Sequence, residues 1–92
     1  SQVRPIATQG ESKGDVMVAM MKNKIMPDGK SNINRIEYYE DSQKNIDDVM
    51  SKICNNKKIE EIKPDSFELL VYKVVGFGDD SQKRYKIEQI TC

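Results

Sequence analysis

The 92-residue sequence predicts an α+β domain, a mixed sheet with one main helix packed on it. Three observations carry that prediction. Ile46, Val49, Met50 and Ile53 recur at i, i+3, i+4 and i+7, an apolar stripe along one side of a helix. Phe67 to Val75 is dense in β-branched and aromatic residues and follows a Pro64-Asp65 turn signal, so it reads as a strand. Ahead of the helix, Pro27-Asp28-Gly29-Lys30 separates two apolar segments. Pro presets φ there and Gly takes the positive φ that other residues avoid, which predicts a hairpin.

In chain order, residues 1–14 are polar and carry Pro5, Gly10 and Gly14. They read as a flexible lead-in to a single domain over 15–92, with Val3 and Ile6 apolar enough to join a sheet edge. Asp15 to Met26 fits two periods. Val16, Val18 and Met20 alternate as a strand would, whereas Met17, Met20, Met21 and Lys24 share a helical face. The turn that follows favours the strand. Ile33 to Tyr39 is the second arm, with Ile36 and Tyr38 on one face and Arg35, Glu37 and Tyr39 on the other.

After a connection over residues 40–44, Asn45 is the expected N-cap, with Asp47 and Asp48 favoured by the dipole of the first turn. Asn55-Asn56 are expected to end the helix in a left-handed cap. Lys57 to Lys63 reads as a charged connector from which Ile59 and Ile62 reach the core. The strand over 67–75 ends at the turn Gly76-Phe77-Gly78-Asp79-Asp80, and Lys83 to Ile90 closes the sheet. The expected order is β-β-α-β-β.

Lys+Arg and Asp+Glu both number 15, so the formal net charge is zero, which argues against a general nucleic-acid or membrane-surface binder. The charge is uneven. Residues 1–35 hold six basic residues against three acidic ones, leaving nine against twelve, so the two parts are +3 and −3. No apolar run approaches the roughly 20 residues of a membrane span, and no signal-peptide core is present, so direct membrane insertion is not expected. A start at Ser1 is expected of a domain within a longer protein.

Two cysteines, Cys54 and Cys92, are too few for a disulfide framework and read as free thiols in a reducing, cytoplasmic compartment. The chain has no His, the usual general base and metal ligand, so neither enzymatic activity nor a cofactor is expected. The paired acids Asp47-Asp48, Glu60-Glu61 and Asp79-Asp80 lack metal-ligand spacing and read as solvated surface. Gly76-Phe77-Gly78 lacks the third Gly of a nucleotide loop. The methionines at 17, 20, 21 and 26 read as core filler before docking surface.

Ile46-x-x-Val49-x-x-x-Ile53 after Asn45, then Ile59, then Pro64-Asp65 leading into Leu69-Leu70, resemble ubiquitin's helix and the strand after it. With the hairpin before it, the order resembles the β-grasp fold. The phrase FELLVYKVVGFGDDSQKRYKI is similar to Ras-association or Ras-binding domains. The connector between Ile53 and Pro64 is longer than ubiquitin's, and only about twenty residues follow Tyr72. The resemblance implies a non-catalytic signalling module, cytoplasmic and brought to membranes by its partner, an activated small GTPase of the Ras type. Binding would proceed by strand addition along the second strand, with basic residues steering the encounter. The positions it implies are Lys22, Lys24 and Lys30 on and after the first strand, Arg35 and Tyr39 on the second, and Lys44 before the helix. The alternative is a ubiquitin-like scaffold docking a kinase or a kinase substrate through the acidic half, including Asp79-Asp80.

Overall fold

The computed structural model describes residues 11–77 and 84–92. Its elements run α1 (Lys13–Lys22), β1 (Arg35–Glu40), α2 (Gln43–Val49), a π-helical turn (Met50–Cys54), α3 (Lys57–Glu60), β2 (Glu68–Phe77) and β3 (Arg84–Ile90). The α+β class holds, with a three-stranded mixed sheet in the order β1-β2-β3. β1 lies parallel to β2 across the intervening helices, and β2 is antiparallel to β3. Parallel neighbours need such a crossover, and the 43–60 segment provides it.

The expected first strand is a helix. Ser12 caps α1 by accepting from the Asp15 N–H, and Asp15 places a negative charge in the first turn. Gly14, Met17 and Met21 fall at i, i+3 and i+7 and are the buried positions, so the helical period wins over the Val16/Val18/Met20 alternation. Lys13, Ala19, Met20 and Lys22 are good helix formers, which offsets the weaker Val16 and Val18. α1 therefore begins two residues inside the expected lead-in, and Val3 and Ile6 lie outside the described residues. Met20 is half-buried and Met26 exposed, so two of the four methionines fill the core fully.

The turn itself is present. Gly29 has φ 84°, Gly29 N–H donates to Met26 O at 2.9 Å and Met26 N–H to Lys30 O at 2.7 Å. It joins a single bridge, Ile25 to Ser31, in place of a hairpin. Ser31 is buried. Its hydroxyl donates to Met21 O and its N–H to Ile62 O, which fastens the end of α1 to the end of the α3 segment.

The main helix starts earlier than expected. Ser42, not Asn45, is its N-cap, accepting from Asn45 N–H, so Asp47 and Asp48 sit beyond the first turn. Ile46, Val49 and Ile53 are fully buried as the stripe requires, with Met50 partly so. The helix ends at Asn55 with φ −112°, outside the left-handed region, because Asn56 is already extended as the N-cap of α3. α3 converts the expected connector into one helical turn that buries Ile59, while Ile62 packs at the core's margin. Leu69 and Val71 present the sheet's side of that core. Gly76 and Phe77 extend β2 where a turn was expected. Gly78 to Lys83, including Asp79-Asp80, lie outside the described residues.

Cys54 and Cys92 are bonded, with Cα atoms 5.5 Å apart, which overturns the expectation of two free thiols. The reason is topological. β3 runs antiparallel to β2 with Ile90 opposite Val71, so the chain's last residues return to the helical layer where the π-helical turn ends. The cytoplasmic expectation had rested on free thiols and loses that support. No helix among the described residues is long and apolar enough to cross a membrane.

Candidate functional site

Among the described residues β1 has a strand partner on one side only. Glu68 N–H donates to Asn34 O at 2.9 Å, and parallel alternation carries that inward orientation through Ile36 and Tyr38. The backbone N–H and C=O groups of Arg35, Glu37 and Tyr39 therefore point away from β2 along an open edge. No strand pairs with that edge among the described residues. Ile36 and Tyr38 turn their side chains to the helices, which leaves Arg35, Glu37 and Tyr39 exposed on the sheet's other face.

Among the described residues that outer face carries no helix. Tyr39 stacks on its register partner Tyr72, ring centroids 4.7 Å apart and planes inclined by 22°. Leu70 and Val74 continue the row along β2, and Tyr85 and Ile87 on β3 are 66% and 60% exposed. Tyr85 is the register partner of Gly76, and its ring lies beside the space a Cβ at Gly76 would occupy. Sequence reasoning singled out Tyr39 alone from this row. The available signal was that Leu69 to Val75 is apolar at nearly every position, so a one-sided core leaves every second residue on the far face.

The six positions expected to meet a partner fall into two groups. Lys22 ends α1, Lys24 follows it, and Lys24 O accepts from Asn32 N–H, so both lie toward the start of β1 with Lys30 and Arg35. Tyr39 and Lys44 stand at the other end, where β1 passes into α2. A strand of this length separates the groups by roughly 15–20 Å. Lys22 and Lys24 leave from a helix and the turn after it, in place of a strand. Lys30 Nζ donates to Glu61 O at 3.0 Å, and Arg35 pairs with Glu37 at 2.8 Å and Glu68 at 3.5 Å. The Glu37 hydrogen bond raises the Arg35 pKa above its ordinary value. The charge that β1 presents is thus partly neutralised within the chain, while Lys22, Lys24 and Lys44 form no ion pair among the described residues.

Two polar clusters lie on the helical side, one at the β1–α2 corner and one between α1 and the main helix. Burial pushes the Glu40 carboxyl up, but hydrogen bonds from Tyr38, Ser42, Asp41 and Asn45 outweigh it and hold the pKa at about 2. Burial and the bond to Glu40 raise the Tyr38 phenol well above its ordinary value. This corner fixes the turn from β1 into α2. In the second cluster Ser12 Oγ donates to Asp48 Oδ2 at 2.6 Å and accepts from Lys52 Nζ at 2.7 Å, with Lys52 also 3.0 Å from Asp15. The Ser–Lys contact has the distance of a nucleophile–base pair. Hydrogen bonds to Asp48 and Asp15 raise the Lys52 pKa above its ordinary value, which favours the ammonium over the free amine that a general base needs. Among the described residues no three His, Cys, Asp or Glu side chains are grouped to hold a metal ion. No protein-family model, curated protein or solved structure matches this chain.

Proposed function

We propose that the chain is a non-catalytic protein-interaction domain of ubiquitin-like β-grasp build, and that it adds a strand of its partner to the open edge of β1. The partner class is an activated small GTPase of the Ras type, as the resemblance implies. The observation that carries the reading is the outward backbone of Arg35, Glu37 and Tyr39 on an edge strand whose opposite side is anchored to β2. Strand addition takes its affinity from main-chain hydrogen bonds, and this edge offers them with Tyr39 and Tyr72 as adjoining contact surface. A helix crossing between the parallel strands β1 and β2 supports the β-grasp element of the reading, with α1 replacing the first hairpin arm. The raised pKa of Lys52 beside Ser12, which disfavours the free amine, supports a non-catalytic role.

The disulfide bears on where such a partner is met. Bonds of this kind persist in oxidising compartments, so cytosolic action requires the Cys54–Cys92 pair to be open there. β1 lies at the sheet edge opposite β3 and does not depend on the bond for its pairing. The test is a titration of oxidised and reduced protein against Ras-type GTPases in both nucleotide states. Preference for the GTP form, weakened by Arg35→Glu or Lys24→Glu, is expected. Equal binding of the GTP and GDP forms overturns the assignment of partner.

A further inference from the structure

β3 is the sheet's second open edge, and its sequence is complementary to itself. Among the described residues it pairs with β2 alone. Lys86 and Glu88 lie two apart on one face, joined by an ion pair of 2.9 Å, and Ile87 between them projects from the other face. Tyr85 and Ile87 are among the most exposed large apolar side chains described. A lone Lys on an edge strand discourages pairing. A Lys and a Glu flanking a central apolar residue do the opposite when the same strand arrives antiparallel.

We propose that the chain forms a two-fold homodimer by antiparallel pairing of β3 with β3 of a second copy, centred on Ile87, giving one six-stranded sheet. The register follows from geometry. A strand paired with itself about a two-fold axis must set residues of the same face opposite each other, so the axis passes through a residue. Ile87 is the middle residue of Arg84–Ile90, so this centre overlaps the whole strand. It sets Lys86 opposite Glu88 of the other copy, twice, and Ile87 against its own counterpart. Moving the centre to Lys86 or to Glu88 sets like charges directly opposite, which destabilises a ladder. Full overlap and charge matching select one register between them.

The dimer leaves both β1 edges at the far ends of the six-stranded sheet. It therefore uses none of the surface assigned to the protein partner and makes that binding bivalent. The experiment is sedimentation of the full, oxidised chain over a concentration series, with three variant arms. The wild type is expected to reach twice the monomer mass. Lys86→Glu and Glu88→Lys each make both cross-pairs repulsive and are expected to weaken association roughly tenfold or more. An equimolar mixture of those two variants restores opposite charges at both cross-pairs and is expected to associate at least as tightly as the wild type. That arm also separates lost pairing from misfolding. Backbone amide exchange in β3, not β1, is expected to slow as concentration rises. A wild type that stays monomeric at about 1 mM, single variants that associate like the wild type, a mixture that stays monomeric, or slowing confined to β1 each overturns the proposal.

Discussion

Asp48 holds the start of α1 from across the helical pair. Its Oδ2 accepts from Ser12 Oγ at 2.6 Å and from Gly14 N–H at 2.9 Å, satisfying one of the amides that a helix N-terminus leaves without an internal partner. Ser12 at the same time caps its own helix through Asp15 N–H. One carboxylate thus docks a helix and satisfies its end. Asp48→Ala is expected to cost about 1–3 kcal/mol and Ser12→Ala about 1 kcal/mol in urea unfolding. Because the two share a hydrogen bond, the double variant should lose less than the two added together.

The same contacts set an acid limit. The hydrogen bond from Ser12 lowers the Asp48 pKa from its ordinary 3.8 to about 2, with Gly14 and Lys52 adding to it against the cost of burial. Glu40 is lowered from 4.5 to about 2. Both pKa values are depressed by folding, so both contributions are complete above pH 4.5 and drain away as pH falls toward 2. Asp48 alone is worth on the order of 2 kcal/mol over that window. Chemical denaturation between pH 7 and pH 2 should show the decline, and Asp48→Asn should flatten it.

Gly14 runs against the usual helix rule. Alanine is the better helix former by roughly 1 kcal/mol, yet a Cβ at this position meets Asp48 O at 2.9 Å and Lys52 Cβ at 3.0 Å. The glycine is there because α1 lies close against the main helix. Gly14→Ala is therefore expected to destabilise by about 1–3 kcal/mol, read as a lowered urea midpoint. A gain in stability would show that the helices can move apart without loss.

These details mark where the sequence was legible. The Ile46/Val49/Ile53 stripe has only one period it can satisfy, and it is buried throughout. The strand at 67–75 was equally plain, since β-branched and aromatic residues fill it. Asp15 to Met26 was not, because Val16, Val18 and Met20 alternate by coincidence while the buried set, Gly14, Met17 and Met21, follows the helix. The neighbouring turn does not break that tie, because a turn restrains what joins it without specifying a strand on both sides. The open edge of β1 and the disulfide depend on strand order. Strand order comes from contacts between residues far apart in the chain, which local patterns do not carry.

The Cys54–Cys92 bond closes a separation of 38 residues that includes all of β2. Cross-linking a loop of that length contributes about 4 kcal/mol by restricting the unfolded chain. Reduction, or Cys92→Ser, is expected to lower the melting temperature. The loss should be greatest at β3, whose last residues the bond fastens to the helical layer. Amide exchange should therefore quicken over 84–90 more than over 35–40. An equal change at both strands would mean that the bond acts on the whole domain and not on β3.

Proline separates the two sides of β1 and tests strand addition directly. The N–H of Glu37 faces outward, so Glu37→Pro removes one donor from the open edge while leaving the ladder to β2 intact, the setting in which edge strands tolerate proline. The N–H of Tyr38 faces β2, so Tyr38→Pro breaks that ladder and removes a side chain packed at the core. Glu37→Pro is expected to keep the far-ultraviolet spectrum and most of the stability. It should still lower affinity for a strand-adding partner by tenfold or more, the loss of about 1.4 kcal/mol that one main-chain hydrogen bond and its alignment supply. Tyr38→Pro is expected to lose stability first, because it removes a ladder hydrogen bond together with core packing. If Glu37→Pro binds as well as the parent while Arg35→Glu does not, the partner reads the side chains of the outer face and the backbone edge takes no part.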